Sequence, residues 1–211
     1  MDEKIEEYIL QHIDKEDDVL KAINRATHVH LLNPRMISGH LQGNILKMLC
    51  KMVSPKVVLE LGTFAGYSAL CLAEGLCDGG VVHTVENDDE LEDFILENLQ
   101  KSPLGDKVVL HLGDALRVIE SFDNDTIDLS FIDADKRQYL DYYNAIFPKM
   151  KNGGFIIADN TLWSGKVLET PHHTDLQTKG ILAFNDYVAT DERVEKVILP
   201  LRDGLTIIRK K

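Results

Sequence analysis

Val57-Val58-Leu59-Glu60-Leu61-Gly62-Thr63-Phe64-Ala65-Gly66-Tyr67-Ser68 reads as a strand, a glycine turn and the start of a helix. The apolar opening has the pattern of a strand buried on both faces, and Pro55 marks its start. Glu60 is expected to end the strand. Tyr67 to Leu76 then places Leu70, Ala73 and Leu76 on one side of a helix. Such a unit opens a doubly wound sheet and brings backbone N–H groups near a ligand. The spacing Gly62-x-x-x-Gly66 matches neither the dinucleotide fingerprint nor the phosphate loop, so neither NAD nor ATP is indicated. An acid at the strand end repels phosphate but suits an ammonium group or ribose hydroxyls. A tight turn without a ligand is the competing reading.

The same unit recurs downstream. Strands are expected at residues 80–86, 107–112, 126–132 and 154–158, with helices after them. Val194–Leu199 and Leu205–Arg209 are also strand-like, but only five residues join them. That connection is too short for a crossover, so this pair should run antiparallel. Upstream, Ile5, Tyr8, Ile9 and Ile13 predict a first helix, and Val19, Leu20, Ile23 and Thr27 a second. Asn33-Pro34 breaks the second, and residues 35–39 turn into a third carrying Leu41, Ile45, Leu46, Leu49 and Met52. The expected fold is α/β: a doubly wound, Rossmann-like, seven-stranded sheet, mostly parallel with a C-terminal antiparallel hairpin, plus N-terminal helices. A single domain is expected over residues 1–211, with a helical cap at 1–53 and an α/β core at 56–211.

Composition narrows the function classes. The net charge is −12, half of it within residues 1–20, which disfavours non-specific nucleic-acid binding. No apolar run suits a membrane span, and the acidic start is unlike a signal peptide. Cys50, Cys71 and Cys77 have neither metal nor disulfide spacing, so a cytoplasmic, reducing setting is expected.

Four expected strand ends carry acids: Glu60, Glu86, Asp133 and Asp159. Strand ends share one edge of such a sheet, and clustered carboxylates repel unless a cation sits among them. Asp133, Asp159 and Asn160 offer hard oxygen ligands suited to Mg²⁺ or another hard divalent ion. For any single strand-end acid the bland role is a helix cap. Glu86 stands 24 residues after Gly62, where a carboxylate can accept both hydroxyls of a ribose. Lys136 lies in the first turn of the helix after Asp133, against the helix dipole. Beside a cation its neutral form is favoured, which makes it a candidate general base. A salt bridge to Asp133 or Asp135 is the alternative. His172 and His173 read as an exposed loop pair.

Three segments together resemble a known family: Glu60-Leu61-Gly62-Thr63-x-x-Gly66-Tyr67-Ser68, Phe131-Ile132-Asp133-Ala134-Asp135-Lys136 and Asp159-Asn160-Thr161-Leu162-Trp163-Ser164-Gly165-Lys166-Val167. They resemble the cation-dependent O-methyltransferases of the caffeoyl-CoA and catechol type, which use S-adenosylmethionine. The resemblance implies that Gly62, Thr63 and Ser68 hold the methionine part of the cofactor, with Glu60 shaping the loop. Glu86 would hold the ribose, and Asp114 and Ala115 the adenine edge. Met36 and Ile37 would close over the cofactor, and Asp133 and Asp135 would also touch it. Asp133, Asp159 and Asn160 would bind Mg²⁺, Mn²⁺ or Ca²⁺. Asp133 and Lys136 would be catalytic, and Trp163 and Ser164 would meet the acceptor. The family's animal catechol enzymes have tryptophan where Asp135 stands and glutamate where Thr206 stands, and its plant enzymes have asparagine where Ser164 stands. These departures imply a different acceptor.

The resemblance implies a homodimer that methylates one oxygen of a small phenolic vicinal diol. Two other readings stand beside it. One is a tRNA hydroxyuridine methyltransferase of the same family, with Lys166, Lys179 and Arg202 near the acceptor. The other is a nucleotide-binding module without chemistry.

Overall fold

The computed structural model describes residues 3–211. Its seven strands form one mixed sheet in the order β3-β2-β1-β4-β5-β7-β6. These strands span Val57–Leu61, Val81–Glu86, Val108–Leu112, Ile127–Ile132, Met150–Asp159, Val194–Leu199 and Leu205–Lys210, numbered β1 to β7 along the chain. The β1–β4, β2–β3 and β4–β5 pairs are parallel, and β5–β7 and β6–β7 are antiparallel. The expected terminal hairpin is therefore present.

Contacts divide the chain into two compact units. One comprises the segment ending at Val57 together with Thr63–Gly113; the other comprises Val58–Gly62 and Asp114–Lys211.

In the first unit, helices α1 (Glu3–His12), α2 (Asp18–His30) and α3 (Gly39–Val53) precede the glycine turn. Asp17 caps α2 by accepting from the Val19 amide at 2.8 Å, which satisfies an otherwise orphaned N–H. Ile23 and Leu46 are wholly buried, but not every apolar residue at helical spacing is. Tyr8 is 62% exposed on α1 and Met52 80% exposed on α3. Helical spacing dictates that residues share a face; it does not supply a partner for that face. Helix α4 (Tyr67–Ala73) stops three residues before its pattern does. A side chain at Gly75 would collide with Cys50 and Lys51, so that turn is shaped by α3 rather than by its own periodicity. Helix α5 (Glu92–Gln100) lies between β2 and β3 in the chain. The described cysteines are free thiols, and burial pushes that of Cys50 up to about 12.

In the second unit, helices α6 (Ala115–Glu120), α7 (Tyr139–Ile146) and α8 (Leu176–Thr190) alternate with β4, β5 and the hairpin. Leu59, Leu129, Phe131 and Ile157 on the strands and Tyr139, Tyr143 and Phe184 on the helices are all buried. Truncating such a side chain to alanine costs about 2–5 kcal/mol. Glu60 lies inside β1, wholly buried, and Leu61 is the strand's last residue, one later than expected.

Candidate active site

Register sets the edge of the second unit at which the candidate residues lie. Leu61 pairs with Ile132, and Ile132 with Ala158. The residues that follow, Gly62, Asp133 and Asp159, therefore emerge side by side at the carboxyl ends of neighbouring strands. The Asp133 amide donates to the Leu61 carbonyl at 2.9 Å, continuing the ladder into the loop. Gly62 has φ +98, and a Cβ there would stand 2.0 Å from the Asp133 carbonyl oxygen. Only glycine lets the first loop come this close.

Asp159 is 4% exposed, and one of its oxygens accepts from the Asn160 amide at 2.8 Å. Asn160 sits in the left-handed region at φ 57. Lys136 is 8% exposed and donates from Nζ to Asp133 Oδ1 at 2.7 Å. The salt bridge considered from sequence thus exists, and its partner is Asp133. Nζ also lies 5.0 Å from the centre of the Tyr139 ring. Tyr139 is wholly buried, and its hydroxyl lies 3.2 Å from the Ile132 carbonyl oxygen and 3.1 Å from that of Asp159. It therefore ties together the two strand ends that carry the acids. Burial holds this phenol well above its ordinary range.

Asp135 faces the neighbouring guanidinium. Arg137 Nη2 donates to it at 2.6 Å, and these hydrogen bonds hold its carboxyl at about 2. Trp163 and Ser164 occupy the left-handed region at φ 46 and 53. The Trp163 amide donates to the Asn160 carbonyl at 3.1 Å, and the Ser164 amide donates to Asp203 Oδ1. Asp114 caps α6, accepting from the Arg117 amide at 3.1 Å, and Ala115 is that helix's first residue.

In the first unit, Glu86 ends β2 with its carboxylate held by three amides. Phe64 N donates to Oε2 at 2.8 Å, Asn87 N to Oε1 at 2.9 Å and Asp88 N to Oε1 at 3.0 Å. The carboxylate is thereby fixed in place, with lone pairs left for further donors. Thr63 Oγ1 lies 2.6 Å from Thr84 Oγ1, and Ser68 is buried in the first turn of α4. Met36 and Ile37 part company: Ile37 is buried and Met36 is 60% exposed.

Asp133 has a lysine, Asp159 and Glu86 have amides, and none of these needs a cation for its first partner. Among the described residues no three His, Cys, Asp or Glu side chains group as a metal site, and the proposed set has two carboxylates and an amide. His172 and His173 are exposed and packed ring to ring, as read from sequence. Sequence reasoning missed Tyr139, which reads as one more apolar helix position, and Asp203, which reads as a hairpin connector.

The family model described as O-methyltransferase matches residues 11–211. A caffeoyl-CoA O-methyltransferase of Eucalyptus gunnii is 32% identical over 215 residues, covering 97% of this chain and 86% of its own. That of Stellaria longipes is 31% identical over 219 residues, covering 99% and 90%. Among solved structures, the O-methyltransferase from Bacillus cereus in complex with SAH is 28% identical with a TM-score of 0.91, covering 99% of this chain and 97% of that one. A methyltransferase of Podospora anserina, also bound to SAH, is 26% identical with a TM-score of 0.90, covering 99% and 94%.

Proposed function

The chain belongs to the O-methyltransferase family, and from that premise we propose that it moves the methyl group of S-adenosylmethionine to one oxygen of a catechol-like diol, with a divalent cation held by Asp133, Asp159 and Asn160. The chain is an O-methyltransferase of the caffeoyl-CoA type. The SAH bound by the Bacillus cereus relative supports S-adenosylmethionine as donor. The adjacency of Asp133 and Asp159, set by strand register, carries the metal reading.

The donor set fits a hard cation, because it offers two carboxylates and an amide oxygen without sulfur or imidazole. Such a cation would supply a Lewis acid that lowers the pKa of a diol hydroxyl. S-adenosylmethionine supplies the electrophilic methyl group. The chain's own residues do the rest. Lys136 Nζ donates to Asp133 Oδ1 at 2.7 Å, beside the residues that would hold the cation. From this position Nζ takes the diol proton as general base. Tyr139, packed edge to face on Phe184, presents its ring to Lys136 Nζ. Trp163 offers an aromatic wall to the acceptor ring. Glu86, oriented by its three amides, accepts the ribose hydroxyls. No covalent intermediate is required, so the acceleration comes from positioning and electrostatics.

No observation favours RNA over a small phenol. Lys166 lies 3.6 Å from Asp175, and Lys179 Nζ donates to the His173 carbonyl at 3.0 Å. The reading as a binding module without chemistry gives way to family membership. Catechol and labelled S-adenosylmethionine provide the test. Asp159→Ala should abolish turnover while preserving the far-ultraviolet circular dichroism spectrum and cofactor affinity. Wild-type turnover by Asp159→Ala would leave the acids with a structural role only.

A further inference from the structure

The turn joining β6 and β7 grips the segment that follows Asn160. The Thr161 amide donates to the Gly204 carbonyl at 3.1 Å, and the Leu162 amide to the Asp203 carbonyl at 2.9 Å. The Ser164 amide donates to Asp203 Oδ1. Gly204 has φ +89, and a Cβ there would stand 2.7 Å from the Leu162 amide nitrogen, so the Asp203-Gly204 pair is shaped to this contact. Two further bonds hold Thr161 from other elements: Thr206 Oγ1 lies 2.8 Å from Thr161 Oγ1, and Asn185 Nδ2 donates to the Thr161 carbonyl at 2.8 Å.

These contacts are unevenly distributed. Thr161 and Leu162 are held by backbone carbonyls and neighbouring side chains that survive any change at residue 203. The Ser164 amide instead donates to the Asp203 side chain. Trp163 and Ser164 occupy a conformation that L-residues enter at a cost, at φ 46 and 53. Something must hold them there, and a carboxylate on the Ser164 amide is placed to do so.

We propose that Asp203 is the positioning residue for the acceptor side of this enzyme: it locks Trp163 and Ser164 in the left-handed conformation that presents them to the acceptor. This rests on the reading that Trp163 and Ser164 meet the acceptor. The terminal hairpin then has two tasks, completing the sheet and acting as template for the specificity loop. Its sequence can tune acceptor choice without touching Asp133, Lys136 or Asp159.

Trp163 is the chain's single tryptophan, so its fluorescence reports on this loop directly, whether or not catalysis is measured. The experiment compares wild type, Asp203→Ala and Asp203→Asn by acrylamide quenching, S-adenosylmethionine affinity, and steady-state kinetics with catechol. Asp203→Ala should raise the quenching constant about twofold and KM for catechol about tenfold, with kcat within about threefold and cofactor affinity unchanged. Asp203→Asn keeps an oxygen for the Ser164 amide and should restore both quenching and KM. Wild-type quenching in Asp203→Ala would overturn the proposal, because the loop would not depend on Asp203. Altered quenching with an unchanged KM would also overturn it, placing Trp163 and Ser164 away from the acceptor. A wild-type enzyme inert toward catechol would contradict the acceptor reading itself, while quenching would still decide whether Asp203 holds the loop.

Discussion

Gly62 and Lys136 show how much a single residue decides. A methyl group at Gly62 would collide with the Asp133 carbonyl oxygen, so Gly62→Ala must push apart the first loop and the end of β4. We expect a loss of about 1–3 kcal/mol, the usual range for overpacking, read as a lower urea midpoint. Lys136 makes a sharper claim. If its neutral amine takes the diol proton, Lys136→Ala lowers kcat by about 10²–10⁴-fold, the worth of a positioned general base. Lys136→Arg should not rescue, because a guanidinium stays protonated. Cofactor affinity should hold in both variants. Wild-type kcat in Lys136→Arg would make the lysine a fixed positive charge. Asp133 and Asp159 were legible from sequence, because a polar residue closing an apolar strand has one edge of the sheet to occupy, and Lys136 and Asn160 stand within three residues of them. Asp203 was not, since its partner Ser164 lies far away in the chain and no local pattern joins them.

At the scale of elements, strands were easier to read than helix ends. Apolar runs bounded by glycine and acids placed β1 to β4, whereas β5 starts at Met150, four residues before its expected start, and the five-residue link forced the antiparallel pair. Helix α4 ended early because its stop is set by packing of Gly75 on Cys50, which periodicity does not carry. Strands β2 and β3 hold one further pair that no motif announced. His83 Nδ1 lies 3.0 Å from His111 Nε2. Burial lowers both rings below the ordinary histidine value, with each other's charge a second cause at His83. The unfolded chain therefore binds protons at these sites as pH falls through about 6.5, while the folded chain does not until lower pH. Stability contributed by the neutral pair is present above that value and lost below it. The melting temperature should fall between pH 7.5 and 5.5, and fall less in the double variant His83→Gln with His111→Gln. An identical slope in that variant would assign the pH dependence to other groups.

At the scale of the molecule, the mixed seven-stranded sheet was expected from alternation and link length, whereas its strand order is a property of the folded chain that no local pattern encodes. Among the described residues no helix is long and apolar enough to cross a membrane. Binding of S-adenosylmethionine should raise the melting temperature, by about 2.7 kcal/mol of stabilisation at a hundredfold excess over Kd, while NAD should not. Glu86→Ala should weaken that binding by about 1–3 kcal/mol, as expected when a charged acceptor of hydroxyl bonds is removed. The central claim, methyl transfer through a cation on Asp133, Asp159 and Asn160, is tested most directly by following labelled methyl transfer to catechol before chelation, after exhaustive EDTA treatment and dialysis, and after adding Mg²⁺ or Mn²⁺. Turnover should vanish on chelation and return with the metal; undiminished turnover in the chelated enzyme would contradict the account.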